Sequence, residues 1–170
     1  MGGSDEAEYV AAIAPRLPQL RRAAFLLCGD WERGDDTLQR ALADIFAKWG
    51  RIRRADNLDA YIRTVLVHRW IDEQRGRWAK VRLVSDLPDR PAPALPSAED
   101  ALDVRAALAQ LPPRQRAVLV LRYLCDMSVE ETATALSCST GTVKSQTSDA
   151  LRGMRHLLEA RPEPTRGSRS

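Results

Sequence analysis

Apolar residues recur along this chain at three- and four-residue intervals, the spacing that puts side chains on one face of an α-helix. Leu38, Leu42, Ile45, Phe46 and Trp49 form one such run, which predicts a helix from Asp35 to Trp49 with Gly50 as its stop. A longer stripe joins Leu58, Tyr61, Ile62, Val65, Leu66 and Trp70, with the stem of Arg69 lying along it. Asn57 is its natural cap, and the helix is expected to run to about Arg77. The opposite side of that helix shows Arg63, His68, Asp72 and Arg75. Ahead of these, helices are expected from Asp5 to Ala14 and from Pro15 to Cys28, the second closed by Gly29.

The periodicity fails between Leu87 and Ser97, where four prolines fall within nine residues. Proline removes a backbone donor and fixes φ, so this stretch ends one unit and starts another. Beyond it, Ser97-Ala98-Glu99-Asp100 opens a helix through Gln110, and a second is expected from Arg114 to Leu124 with Pro113 in its first turn. Ser128 followed by Glu131 is a capping-box pattern for a short helix to Leu136. After a tight turn, Ser139 caps a last helix to about Leu158. The pattern contains no convincing strand and no internal repeat. The fold class expected is all-α: two small helical domains joined by a Pro-rich linker, with a C-terminal helix-turn-helix. The boundaries expected are 1–82, a flexible linker at 83–98, 99–160, and a disordered tail at 161–170.

Composition adds limits. Hydrophobic residues make up 44% and charged residues 29% of 170, the balance of a globular chain. No apolar run approaches the roughly 18 residues of a membrane span, so no membrane insertion is expected. The acidic start, Asp5, Glu6 and Glu8, does not read as a signal peptide. Three cysteines without CxxC spacing argue against a disulfide framework or a zinc site and for a reduced, cytoplasmic chain. His68 and His156 lack a second ligand at metal spacing, and no phosphate loop, nucleophile elbow or carboxylate pair appears. Neither metal nor cofactor is expected, and the chain does not read as an enzyme.

Net charge is only +3, but its distribution is uneven: −2 over residues 1–50, +5 over 51–82, −3 over 83–113 and +3 over 114–170. Two basic blocks around an acidic one suggest two places that meet a polyanion. Two solvated, Arg-rich helix faces would give the same pattern.

Residues 128–158 carry the most specific signal. A short helix, a tight turn and a longer polar-faced helix make a helix-turn-helix, with Ala133 at the crossing and Leu136, Val143, Leu151 and Met154 as its apolar contacts. The outer face of the last helix offers Thr140, Thr142, Lys144, Ser145, Thr147, Ser148 and Arg152, with Ser139 at its start. Short hydroxyls approach phosphates and base edges, and the two cations neutralise phosphates. An ordinary helical hairpin with a polar face is the plainer alternative.

Three segments of this half, Leu111-Pro112-Pro113-Arg114-Gln115-Arg116-Ala117-Val118-Leu119-Val120-Leu121-Arg122-Tyr123, Ser128-Val129-Glu130-Glu131-Thr132-Ala133 and Gly141-Thr142-Val143-Lys144-Ser145, closely resemble the C-terminal domain of extracytoplasmic-function (ECF) sigma factors. These belong to the sigma-70 family of bacterial RNA polymerase, and the chain looks like their actinobacterial sigma-E-like subfamily. The resemblance implies that the last helix reads the −35 promoter element through Ser139, Thr140, Thr142, Lys144, Ser145, Thr147, Ser148 and Arg152. Many relatives carry Arg after the Lys-Ser pair, where this chain has Gln146 and then Asp149.

In the N-terminal half, Asp35-Asp36-Thr37-Leu38-Gln39 resembles the family's acidic signature on the helix that docks on the polymerase clamp. The resemblance makes Asp35, Asp36, Leu38 and Gln39 core-polymerase contacts, although an acidic pair at a helix start also serves the helix dipole. Residues Asn57 to Arg75 resemble the family's −10 helix, preceded by an Arg-rich loop that captures a flipped base. That implies roles for Arg53, Arg54, Asn57, Arg63, His68 and Arg75 in holding melted DNA, which needs positive charge and flat groups. Trp49 and Trp70 read first as core residues, with stacking platforms as the alternative.

The implied partners are the core polymerase, through its β and β′ subunits, and promoter DNA, both double-stranded and melted. An anti-sigma factor belongs among the implied partners too, because sigma factors of this group are often held by one. The competing reading is a helix-turn-helix regulator that binds duplex DNA without polymerase.

Overall fold

The computed structural model describes residues 2–83 and 100–160, with side chains described over 2–77 and 104–160. The expected linker, apart from residue 83, and the expected tail lie outside them. The described residues are helical throughout: α1 (Gly3–Ile13), a 3-10 turn (Ala14–Arg16), α2 (Leu17–Cys28), α3 (Trp31–Ala47), α4 (Trp49–Ile52), α5 (Leu58–Leu83), α6 (Asp100–Gln110), α7 (Pro113–Leu119) continuing into a π-helical turn (Val120–Leu124), α8 (Val129–Leu136) and α9 (Thr140–Glu159).

Local chemistry accounts for most of the ends. Gly29 closes α2 at φ 86°, donating its N–H to Phe25 O at 2.8 Å, a left-handed conformation that costs glycine little. Asn57 caps α5 by accepting from Ala60 N at 3.0 Å. Ser128 and Glu131 form the full capping box, with Glu131 N to Ser128 Oγ at 3.0 Å and Ser128 N to Glu131 Oε2 at 2.8 Å. Ser139 caps α9 at Thr142 N, 3.0 Å away.

Both ends of α3 differ from the pattern-based expectation, and α5 runs on to Leu83 rather than stopping at about Arg77. Helix α3 starts at Trp31, not Asp35, because Asp30 is its cap and accepts from Arg33 N at 2.8 Å. Gly34 is therefore inside the helix. It costs roughly 1 kcal/mol against alanine there, but a Cβ at that position would stand 3.0 Å from Phe25 N, so it lets α2 and α3 approach closely. At the other end α3 stops at Ala47, and Gly50 lies within the short α4. Trp49 is thereby turned inward, where it is 1% exposed and meets Tyr9 edge-on at 5.4 Å.

The N-terminal core is built from Leu27, Ile45, Trp49, Ile62, Leu66 and Trp70, each almost wholly buried. Burying a side chain of this size is worth about 1.5–3 kcal/mol. In the C-terminal half Val118, Leu121, Met127, Ala135, Leu136 and Val143 fill the corresponding role. The two sets form one continuous buried cluster, because α8 packs on α5, and α7 and the π-helical turn pack on α2.

Candidate nucleic-acid and polymerase interface

Helix α9 is amphipathic, and its inner face is fixed by Val143 and Ala150, both fully buried. Turning outward at helical spacing are Thr140, Lys144, Ser145, Ser148 and Arg152, all exposed, with Thr142 and Thr147 half-buried and Ser139 exposed at the start. The hydroxyls are partly satisfied at home: Thr147 Oγ1 donates to Val143 O at 2.7 Å and Ser145 Oγ to Thr142 O at 3.1 Å. Such bonds are weak competitors for a phosphate or a base edge. Arg152 Nη1 lies 3.3 Å from Asp149 Oδ1, with both side chains mostly in solvent. Arg155 extends the same exposed stripe, seven residues past Ser148, and was not among the residues read from the motif. Its only sequence signal was that spacing.

The second candidate surface runs along α5 and the segment before it. Arg54 and Arg75 are exposed there, as is Arg51. Arg53 is already engaged, contacting Asp5 Oδ1 at 3.2 Å and Glu8 Oε2 at 2.7 Å, so α1 takes up its charge. Asn57 Nδ2 donates to Glu131 Oε1 at 2.7 Å, and Arg63 Nη2 donates to Gln19 Oε1 at 2.9 Å. His68 Nε2 donates to Ala135 O at 2.6 Å.

On α3, Asp36 and Gln39 are exposed. Asp35 is gripped by Arg21 through two bonds of 2.8 and 2.9 Å, and those hydrogen bonds hold its carboxyl below the usual carboxylate range. Leu38, expected beside them as a polymerase contact, is buried. It is 6% exposed and belongs to the core, because the period that places Asp36 and Gln39 outward turns position 38 inward. Thr37 is fully buried and donates to Glu73 Oε2 at 2.7 Å, while Arg40 donates to the other oxygen at 3.0 Å. This pins α3 to α5.

Among the described residues no cluster of His, Cys, Asp or Glu could hold a metal, and no helix is long and apolar enough to cross a membrane. Cys28 and Cys125 are buried free thiols, the latter pushed up by burial to about 11, and neither is poised for thiolate chemistry.

Comparison with known proteins accords with this geometry. Residues 101–154 match the family described as Sigma-70, region 4, and residues 13–66 match the Sigma2 domain of PhyR. The chain is 36% identical to the RNA polymerase sigma-E factor of Streptomyces coelicolor over 161 residues, covering 91% of this chain and 88% of that protein. It is 30% identical to the ECF RNA polymerase sigma factor EcfG of Rhodopseudomonas palustris, covering 86% and 82%. Among solved structures, the sigma factor RpoE of Bartonella quintana, crystallised with the anti-sigma factor NepR, superposes with a TM-score of 0.74 at 26% identity, over 91% of this chain and 99% of that one.

Proposed function

Because the chain belongs to the ECF group of the sigma-70 family, an RNA polymerase sigma factor and so a non-enzymatic subunit, we propose how its surfaces divide the work of promoter recognition. The N-terminal half docks on core polymerase, at its β and β′ subunits, through Asp35, Asp36 and Gln39. The same half holds the melted −10 strand through Arg54, Asn57, Arg63, His68 and Arg75, with Arg53 shaping the loop from its α1 ion pairs. The C-terminal half reads the −35 duplex with the outer face of α9, where Lys144, Arg152 and Arg155 meet phosphates and the hydroxyls approach base edges. An anti-sigma factor is a further partner, as it is for the superposing Bartonella protein. The site of action is the cytoplasm, where the polymerase and the promoter are.

The observation that carries this reading is the outward, unobstructed face of α9 in a chain whose relatives match it over nine-tenths of its length. Hydrolysis of a nucleotide has no place in it. Strand opening draws instead on binding energy for the unpaired bases. In vitro transcription from a genomic promoter library, with core polymerase and with or without this protein, tests it. New start sites sharing two spaced upstream motifs are expected. Start sites with a −10 motif alone would remove α9 from the reading.

A further inference from the structure

The indole of Trp70 is 1% exposed, yet its Nε1 donor has no hydrogen-bond partner. Native cores seldom leave such a donor unsatisfied. Arg116 stands over the ring at 6.0 Å, but a guanidinium has no acceptor to offer it. Trp70 borders a cavity of about 460 Å³ between α5 on one side and α7 and α8 on the other. That is room for a small organic molecule.

The lining divides by chemistry. Ile71, Pro113, Ala117, Ala135 and Leu136 make an apolar wall. Arg75 from α5 and Arg114 from α7 bring one guanidinium from each half of the chain. Both are exposed, and among the described residues neither side chain is in an ion pair or a hydrogen bond. Asp72 is the one acidic residue of the lining, and it lies in the field of Arg69. An apolar wall with a few polar groups is the ordinary form of a small-molecule site. Guanidiniums select an anion, and a carboxylate suits their paired donors. Two cations against one acid leave a surplus of one positive charge, which a monoanion balances and a phosphate dianion exceeds. The wall requires that the anion carry a hydrocarbon body.

We propose that this cavity is a binding site for a small monocarboxylate with an apolar body. Arg75 and Arg114 meet the carboxylate, Trp70 Nε1 donates to it, and the body rests against Ile71 and Leu136. The ligand touches residues of both halves, so its binding raises the thermal midpoint of the folded chain. His68 and Arg75 border the cavity and are also assigned to melted DNA. The test uses no DNA, so the fate of that assignment and of this site are read separately.

The full chain, labelled with ¹⁵N, is titrated with benzoate, phenylacetate and hexanoate, each against its neutral amide. The chain has four tryptophans, and the indole N–H signals are assigned through bonds. At least one carboxylate is expected to saturate at one molecule per chain and to move the Trp70 indole signal downfield, as a donor does on gaining an acceptor. Its amide is expected to bind about ten-fold more weakly, because the charge-assisted bonds are lost. Arg114→Gln should weaken the carboxylate about ten-fold and leave the amide unchanged. A variant that merely loosened the packing would weaken both. No saturable binding by any of the three, equal affinity for acid and amide, a shift confined to another indole, or carboxylate binding indifferent to Arg114→Gln overturns the proposal.

Discussion

The guanidinium of Arg116 reaches across the junction of the two halves to the carbonyl oxygen of Leu27, 2.9 Å from its Nη1. Its other nitrogens donate to Leu108 O at 2.9 Å, Ala109 O at 2.8 Å and Leu111 O at 3.2 Å. No carboxylate takes part. The positive charge is met by carbonyls at the C-terminal ends of α2 and α6, where the aligned peptide dipoles leave partial negative charge. Burial lowers the Arg116 pKa from its ordinary value, yet arginine remains charged.

Replacing Arg116 with methionine keeps the stem and strands those carbonyls. Hydrogen bonds to charged groups are each worth about 1.5–3 kcal/mol, less what water recovers at the exposed bonds. We expect Arg116→Met to destabilise by about 2–4 kcal/mol, read as a lower urea midpoint. An unchanged midpoint would mean that the four bonds contribute nothing net.

The phosphate role of α9 has an ionic signature. The double variant Lys144→Ala/Arg152→Ala should bind its promoter more weakly, with the slope of log affinity against log salt reduced by about two. Arg152 is partly neutralised by Asp149, so its share is the smaller one. A slope equal to that of the unmodified protein would take this face out of the DNA contact.

For the polymerase contact, Asp36 is the sharper probe. Asp35 is tied to Arg21, whereas Asp36 is exposed on the same turn of α3. Asp36→Arg is expected to abolish co-elution with core polymerase in gel filtration while leaving the helical circular-dichroism signal and the urea midpoint in place. Co-elution that survives the substitution would move the docking surface elsewhere.

Acid stability follows from two carboxylates. Asp59 accepts from Arg16 at 2.7 Å and Asp44 accepts from Arg69, and those hydrogen bonds hold both carboxyls below their usual range. The folded protein thus binds fewer protons than the unfolded one in the acid range. The pairs stabilise above about pH 4 and lose their effect as pH falls through the depressed folded values. Both side chains keep solvent contact, so the effect is modest. Asp59→Asn should lower the urea midpoint at neutral pH and flatten its decline between about pH 5 and 2. A decline as steep as before would exclude the Arg16 pair as a source.

The helices, the capping box and the helix-turn-helix were legible in the sequence because each rests on neighbours a few residues apart. Ser128 and Glu131, or Ser139 and Thr142, meet wherever the rest of the chain goes. Sequence spacing failed where a distant contact decided the outcome. Gly34 looks like a helix breaker until α2 is seen pressed against it, and Leu38 looks like part of an acidic signature until its side chain is found in the core. The engagement of Asn57 by Glu131, 74 positions away, has no local signature at all. Nor had the pairing of Arg53 with Asp5 and Glu8, which braces α1.

Arg116 stands over the Trp70 ring at 6.0 Å but donates its hydrogen bonds to main-chain oxygens, and this bears on how the junction tolerates mutation. A contact between two side chains constrains both positions, so a change in one favours a compensating change in the other. Here the partners Leu27, Leu108, Ala109 and Leu111 contribute an atom that every residue has. Their identities are free to drift under packing alone, without disturbing the arginine. Insertion or deletion of one residue near the ends of α2 or α6 would instead rotate those oxygens by about 100° and empty the grip. Selection on these four bonds therefore falls on helix length and on a single arginine, and paired substitutions at Leu27, Leu108, Ala109 and Leu111 would carry no trace of them.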